Sequence, residues 1–315
     1  MKKMPIILDC DPGVDDAYAI MLANSHEGFD IRAITPVAGN VEYHHTSRNA
    51  LDLADMLGMT CPVARGAERP LIASLRTAGE FHGGNGLANY TLPGAKGALS
   101  DKKAWDIMYE EAKKSKGELQ IVAVGPLTNV ATAILKYQDL KDYVKRIVIM
   151  GGSADSGNHS PYGEFNIWTD PHAAEIVFHC GIPVTMMGLN ATRQAALSSQ
   201  EMKDMGEVET TVQDLLQAIN RYAFGIQGRK DWESKVILHD AITVGYLIDE
   251  TMAETKKAYV TCEMTGSLTG GQTVCDFKGI SGKEPNVDVV MTVHVDVFRR
   301  LLRDMLVFYR KKEDV

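Results

Sequence analysis

The string Asp9-Cys10-Asp11-Pro12-Gly13-Val14-Asp15-Asp16 constrains this chain more than any other feature. It follows directly on the apolar run Pro5-Ile6-Ile7-Leu8. A short apolar run broken by Pro-Gly reads as a buried strand leaving a sheet. Four carboxylates crowded at the exit of such a strand repel one another at high cost unless a cation offsets them. Asp11 lies before the turn and Asp16 in the first helical turn after it, so their oxygens suit a hard cation, Ca²⁺ or Mg²⁺. A helix N-terminus that favours acids explains Asp15 or Asp16 equally well. It explains Asp9 and Asp11 poorly.

The rest of the 315 residues alternate strand and helix patterns. Strand patterns cover 5–10, 31–37, 62–64, 119–124, 146–150 and 182–187. Helical patterns cover 15–22, 41–57, 101–116, 127–136 and 170–180, the last with Asp170 as cap and Pro171 at the first position. Helices follow over 198–226 in one or two pieces and over 236–248. Strand patterns at 259–264, 273–277 and 287–293 precede a final helix at 295–309. This order predicts one α/β domain over 1–315. Its Rossmann-like core is an open, mostly parallel sheet with helices on both faces. Ligands of such sheets sit beyond the carboxyl ends of the strands. The stretch 66–99 is rich in glycine and reads as a long functional loop with at most a small helix.

Composition narrows the class of protein. Lys plus Arg is 33 and Asp plus Glu is 41, a formal charge of −8. An acidic chain has no general field for phosphate backbones, so no nucleic-acid partner is expected. No apolar run approaches the roughly 20 residues that span a bilayer, so no membrane partner is expected either. The N-terminal segment meets Asp9 too early for a signal-peptide core. The five cysteines are scattered and form no CxxC pair, which fits reduced thiols and a cytoplasmic location.

Three further groups carry chemistry. Leu238-His239-Asp240 lies far down the chain; Asp240 could close a metal site with His239 beside it, although many such pairs are surface or cap residues. Glu164 and Asn166 alternate on a segment expected to be extended, pointing the same way, a pairing that suits neighbouring sugar hydroxyls. A loop capped by its own side chains is the competing reading. Asn40 and Asn158 are similar polar candidates, and Gly151-Gly152 marks either a close approach to ligand or a tight turn. His82 sits in His82-Gly83-Gly84-Asn85-Gly86, which is neither a Rossmann nor a Walker motif.

Over nearly its whole length the chain resembles the inosine–uridine-preferring nucleoside hydrolases, including pyrimidine-preferring bacterial members. The resemblance rests on Asp9-Cys10-Asp11-Pro12-Gly13-x-Asp15-Asp16. It extends through Gly39-Asn40, Gly125-Pro126-Leu127-Thr128-Asn129, Met150-Gly151-Gly152, Glu164-Phe165-Asn166 and His239-Asp240. It implies a Ca²⁺ held by Asp11, Asp16, Asp240 and the carbonyl of Val124. It implies ribose contacts from Asn40, Asn158, Glu164 and Asn166, with Met150 lining the pocket. Asp15 is then the general base, His239 the leaving-group acid, and His82 a contributor on the base side. Phe224, Gln227 and Trp232 are candidate base contacts, although aromatics at helical spacing also build cores. A homotetramer or homodimer is expected by the same resemblance. At Asn190 and Arg193 the chain departs from relatives that carry aspartate and histidine there.

The residue types fit that chemistry. Cleaving an N-glycosidic bond builds positive charge on the ribose, which carboxylates stabilise. A cation beside Asp15 should hold its pKa low, and a histidine is the natural proton donor near pH 7. Water attacking opposite the departing base gives the logic of an inverting glycosidase. Uridine, cytidine or inosine are the expected substrates, and no nicotinamide or phosphate is needed. Two other readings remain. In a metal-dependent phosphohydrolase, Asp9 would be the nucleophile with Mg²⁺ beside it, and burial of Asp9 would exclude this. A nucleoside- or ribose-binding protein without turnover would not need Asp15.

Overall fold

The computed structural model describes residues 2–225 and 235–310. The elements run β1 (Met4–Cys10), α1 (Val14–Ser25), β2 (Phe29–Pro36), α2 (Tyr43–Met56), α3 (Gly79–His82), α4 (Ala104–Ser115), β3 (Leu119–Ala123), α5 (Thr128–Lys136), β4 (Val144–Met150), α6 (Phe165–Thr169) and α7 (Pro171–Phe178). They continue with β5 (Val184–Met187), α8 (Leu189–Thr192), β6 (Leu197–Ser198), α9 (Ser199–Glu207), α10 (Gln213–Gly225), β7 (Lys235–Val236), α11 (His239–Ile248), β8 (Ala253–Cys262), β9 (Thr273–Asp276), β10 (Val287–Val293) and α12 (Val295–Tyr309).

Eight strands form the main sheet in the order β2-β1-β3-β4-β5-β10-β8-β9. Pairing is parallel from β2 through β10 and antiparallel from β10 to β8 and β9. The chain leaves β1 for β2 on one side and returns to β3 on the other. The ends of β1 and β3 therefore frame the switch point where ligands of open α/β sheets bind.

The period of two explains the layers. Ile6, Leu8 and Cys10 face a core shared with α1, α2, α11 and α12. Ile7 faces the opposite core, built with α4, α5 and α7. A strand buried on both faces has to be apolar throughout, as Ile6-Ile7-Leu8 is.

Several expected boundaries move. Residues 62–64 form no strand; Val63 makes a single parallel bridge to Ile34. β8 begins at Ala253, well before 259. Its first half, Glu254-Thr255-Lys256-Lys257, is exposed and polar, so no apolar alternation marks it; pairing with β10 holds it extended. The helical stretch at 198–226 divides into α9 and α10. The segment bearing Glu164 and Asn166 is not extended: Glu164 is the N-cap of the short helix α6.

Candidate active site

Asp11 sits just past β1, wedged between the turns that follow β2 and β3. A side chain at Gly39 would place its Cβ 2.1 Å from Asp11 Oδ2, and one at Gly125 would lie 2.6 Å from Oδ1. Only glycine leaves room for that carboxylate. The Asn40 backbone N–H donates to Asp11 Oδ2 at 2.7 Å. Asp11 Oδ1 is buried without a hydrogen-bond partner.

Asp16 is the third residue of α1. Its carboxylate takes the N–H of the cap residue Gly13 at 2.9 Å and the N–H of Asp11 at 3.1 Å. A carboxylate at this position that takes the cap N–H tightens the first turn, and the positive helix end favours the acid. The Asn40 side chain donates to Asp16 Oδ2 at 3.0 Å and to the Asp11 carbonyl at 3.1 Å. Asp240 enters from the first turn of α11, which packs on α1. Carboxylate oxygens of Asp15, Asp16 and Asp240 all lie within 4.8 Å of one another. Asp15 thus stands inside the cluster, whereas Asp11 meets it through Asp16.

Burial raises all four carboxyls. Burial pushes Asp15 and Asp16 up to about 6 against their hydrogen bonds and, for Asp15, against His82; Asp11 and Asp240 rise well above the usual carboxylate range, where neighbouring carboxylates add to burial. The low pKa expected for Asp15 is therefore not a property of the protein groups alone; it requires a cation's charge. The donors fit such an ion. They are all oxygens, one is an orphan, and the Val124 carbonyl keeps a second lone pair after accepting from Asn166.

Across the pocket, Glu164 accepts three backbone N–H groups, from Gly152 (2.9 Å), Asn166 (2.9 Å) and Ile167 (3.1 Å). The competing reading of a self-capped loop describes this contact set. Burial still lifts Glu164 to about 7. The Asn166 amide donates to the carbonyls of Val124 (2.8 Å) and Met150 (3.1 Å), so it is tied to the ends of β3 and β4. Asn158 is exposed, and its Oδ1 accepts the Phe165 N–H at 3.0 Å.

His82 Nδ1 accepts the Val14 N–H at 3.2 Å and lies 4.0 Å from Asp15 Oδ1. Accepting at Nδ1 leaves the ring proton on Nε2. Burial lowers its pKa, and Asp15 opposes that. His239 Nδ1 lies 2.8 Å from Thr192 Oγ1. Burial, then Arg193, then His82, bring His239 down to about 4. Near pH 7 that direction leaves His239 a neutral imidazole in the substrate-free protein. Gln227 and Trp232 lie outside the described residues, as does the side chain of Phe224.

Asp9 is wholly buried, and its Oδ1 accepts from Thr35 Oγ1 (2.7 Å) and Asn129 Nδ2 (2.8 Å). Burial lifts its pKa to about 7. A nucleophile needs access to its electrophile, so the reading of Asp9 as a phosphohydrolase nucleophile fails. Thr192 carried no signal in the sequence, and Asn129 stood in a motif without a role of its own. Both act on groups far away in sequence, and only the folded sheet brings them together.

Among the described residues no helix is long and apolar enough to cross a membrane. A family model described as inosine-uridine preferring nucleoside hydrolase matches residues 6–300. The pyrimidine-specific ribonucleoside hydrolase RihA of Escherichia coli O1:K1 is 39% identical over 314 residues, covering 97% of this chain and 99% of the relative. The non-specific ribonucleoside hydrolase RihC of Escherichia coli strain SMS-3-5 is 36% identical over 304 residues, covering 96% and 98%. A plant nucleoside hydrolase, the PpNRh1 enzyme, superposes with a TM-score of 0.90 at 30% identity, covering 96% of this chain and 98% of its own. The purine-preferring ribonucleoside hydrolase of Gardnerella vaginalis gives the same values. With sequence and fold agreeing end to end, the chain belongs to the inosine–uridine-preferring nucleoside hydrolase family, and it is a ribonucleoside hydrolase that cleaves N-glycosidic bonds.

Proposed function

We propose that this enzyme hydrolyses uridine, cytidine or inosine to free base and ribose in a Ca²⁺-dependent reaction. The observation that carries the reading is the convergence of Asp15, Asp16 and Asp240 within 4.8 Å, together with an orphaned oxygen on Asp11. Asp11, Asp16, Asp240 and the Val124 carbonyl would hold the ion. A Ca²⁺ there would grip a ribose diol and lower the pKa of a nearby water.

The protein groups do the rest. Asn40, Asn158, Glu164 and Asn166 orient the ribose by hydrogen bonds, with Met150 against it. Asn40 and Glu164 are themselves locked by the contacts described above, so they hold the sugar without reorganising. Asp15 accepts the proton of the attacking water. With a pKa of about 6 even without a cation, it is ionised at neutral pH. The buried carboxylates stabilise the positive charge that grows on the ribose ring. His239 and His82, both neutral, donate hydrogen bonds toward the departing base. Attack and departure on opposite faces invert the anomeric carbon.

The reading includes a single domain over 1–315, a cytoplasmic enzyme, and a homotetramer or homodimer. The names of the bacterial relatives support the pyrimidine preference only for those relatives. A panel of uridine, cytidine, inosine and adenosine, assayed with Ca²⁺ and with chelator, tests the proposal. Release of free base that depends on Ca²⁺ is expected. Undiminished release in chelator, from protein proven free of metal, would reject the metal dependence.

A further inference from the structure

We infer that Arg193 is a positioning residue for substrate binding, acting through the loop that carries Asn158; this rests on the proposed reading of Asn158 as a ribose contact. The loop after β4 extends from the sheet without regular structure between Gly151 and Glu164. Two residues of the helical segment after β5 reach across to it. Arg193 Nη1 donates to Asp155 Oδ1 (3.2 Å) and to Ser156 Oγ (2.9 Å), and Nη2 donates to the Gly157 carbonyl (2.7 Å). Asn190 Oδ1 accepts the Ala154 N–H at 3.1 Å, while its Nδ2 is anchored on the Val290 carbonyl at 2.9 Å. Residues 154–157 are thereby fixed one after another to the sheet side.

The next residue is Asn158. Its Oδ1 accepts the N–H of Phe165, which opens α6 and sits between Glu164 and Asn166. The neighbour on the other side of the clamp is Thr192, whose hydroxyl contacts His239. One turn of chain, 190–193, therefore sets the ribose-side loop and touches the base-side histidine. A planar guanidinium fork suits this task, because it fixes three acceptors at once where an ammonium meets them singly.

The clamp is separable from folding. The side chains of Arg193 and Asp155 are 36% and 55% exposed, so removing the cation leaves no buried charge behind. Arg193→Ala should keep the parent melting temperature. In the substrate-free protein, amide hydrogen exchange over 154–158 should speed up by about tenfold or more, since the loop loses its ties. With uridine, KM should rise about tenfold with kcat changed by less than about threefold, the pattern of lost uniform binding. Arg193→Lys should recover part of the KM loss. Asn158→Ala and the double variant should share one KM within about twofold, because the arginine acts through that asparagine.

Unchanged exchange, an unchanged KM in Arg193→Ala, or multiplying KM effects in the double variant would each overturn the inference. Asn158→Ala with parent kinetics would also overturn it, while leaving ribonucleoside hydrolysis standing. If the parent protein released no base from any nucleoside, the functional reading would fail, and the exchange experiment would still decide the clamp.

Discussion

The Asn129 side-chain amide donates to Asp9 Oδ1 at 2.8 Å, bringing together residues 120 positions apart. The same amide reaches the carbonyls of Thr35 (3.3 Å) and Pro36 (3.2 Å), and its oxygen accepts the Ala67 N–H (2.8 Å). One buried side chain thus ties α5 to the ends of β1 and β2.

Asn129→Ala should therefore cost more than an average substitution. It strips a buried carboxylate of a partner and leaves backbone groups unsatisfied, a loss of about 2–4 kcal/mol. Urea unfolding of the metal-loaded protein measures it. A loss under about 0.5 kcal/mol would mean that water replaces the amide without penalty.

Parts of the site were legible because they are local. The acids of β1 and α1 lie within one turn of chain, and Pro-Gly punctuation marks the strand exit. The Asp170-Pro171 helix start is local too; the Asp170 side chain accepts the Ala173 N–H as a cap should. What stayed hidden depends on distance or on competing local bonds. Glu164 looked like part of a strand because Gly163-Glu164-Phe165-Asn166 alternates polar and apolar. Its carboxylate instead captures three N–H groups and starts a helix. The neutrality of His239 is likewise unreadable from His239-Asp240. It follows from burial and from Arg193, which the fold brings in.

Removing the metal should reverse the usual response of stability to pH. Asp9 and Glu164 are raised to about 7 from 3.8 and 4.5, and Asp11 and Asp240 are raised as well. A carboxyl raised on folding binds protons more tightly in the native state, so its stabilising effect is lost as pH rises through the folded pKa. His82 and His239 are lowered, and they act in the opposite sense only below about 6.5, the ordinary histidine value. Between about pH 5 and 7 the raised carboxyls outnumber the two histidines, so the melting temperature in chelator should fall as pH rises. Saturating Ca²⁺ should lessen that fall by holding Asp11, Asp16 and Asp240 ionised. A melting temperature that climbs with pH in chelator would contradict the buried cluster.

Replacing Asp15 separates base from ligand. Asp15→Asn keeps size and hydrogen bonding but removes proton acceptance. kcat should drop about 10³-fold, within the range of general-base losses, with KM nearly unchanged. Metal content, measured on the same sample, should stay at the parent level if Asp11, Asp16 and Asp240 are the side-chain ligands. A kcat within about tenfold of the parent would remove Asp15 from its role. Lost metal would instead make it a ligand, as its place within 4.8 Å of Asp16 and Asp240 allows.

His239 gives the sharpest statement about the leaving group. Its Nδ1 is occupied by Thr192 Oγ1, so Nε2 is the nitrogen left for the base. With its pKa at about 4, the ring is neutral at working pH; with the Thr192 hydroxyl donating to Nδ1, the ring proton sits on Nε2, which then donates a hydrogen bond. A purine departs with its imidazole nitrogen ready to accept such a donor; a pyrimidine has no equivalent nitrogen. His239→Ala should thus lower kcat about 10²-fold on inosine and about tenfold on uridine, the span typical of a single acid or donor. The parent pH profile on inosine should show no falling limb centred near 6.5. Equal losses on both substrates would move the donor role to His82, which holds its Nε2 proton because Nδ1 takes the Val14 N–H. A falling limb near 6.5 that vanishes in His239→Ala would show that bound substrate charges the ring, and the neutral-donor assignment would fall.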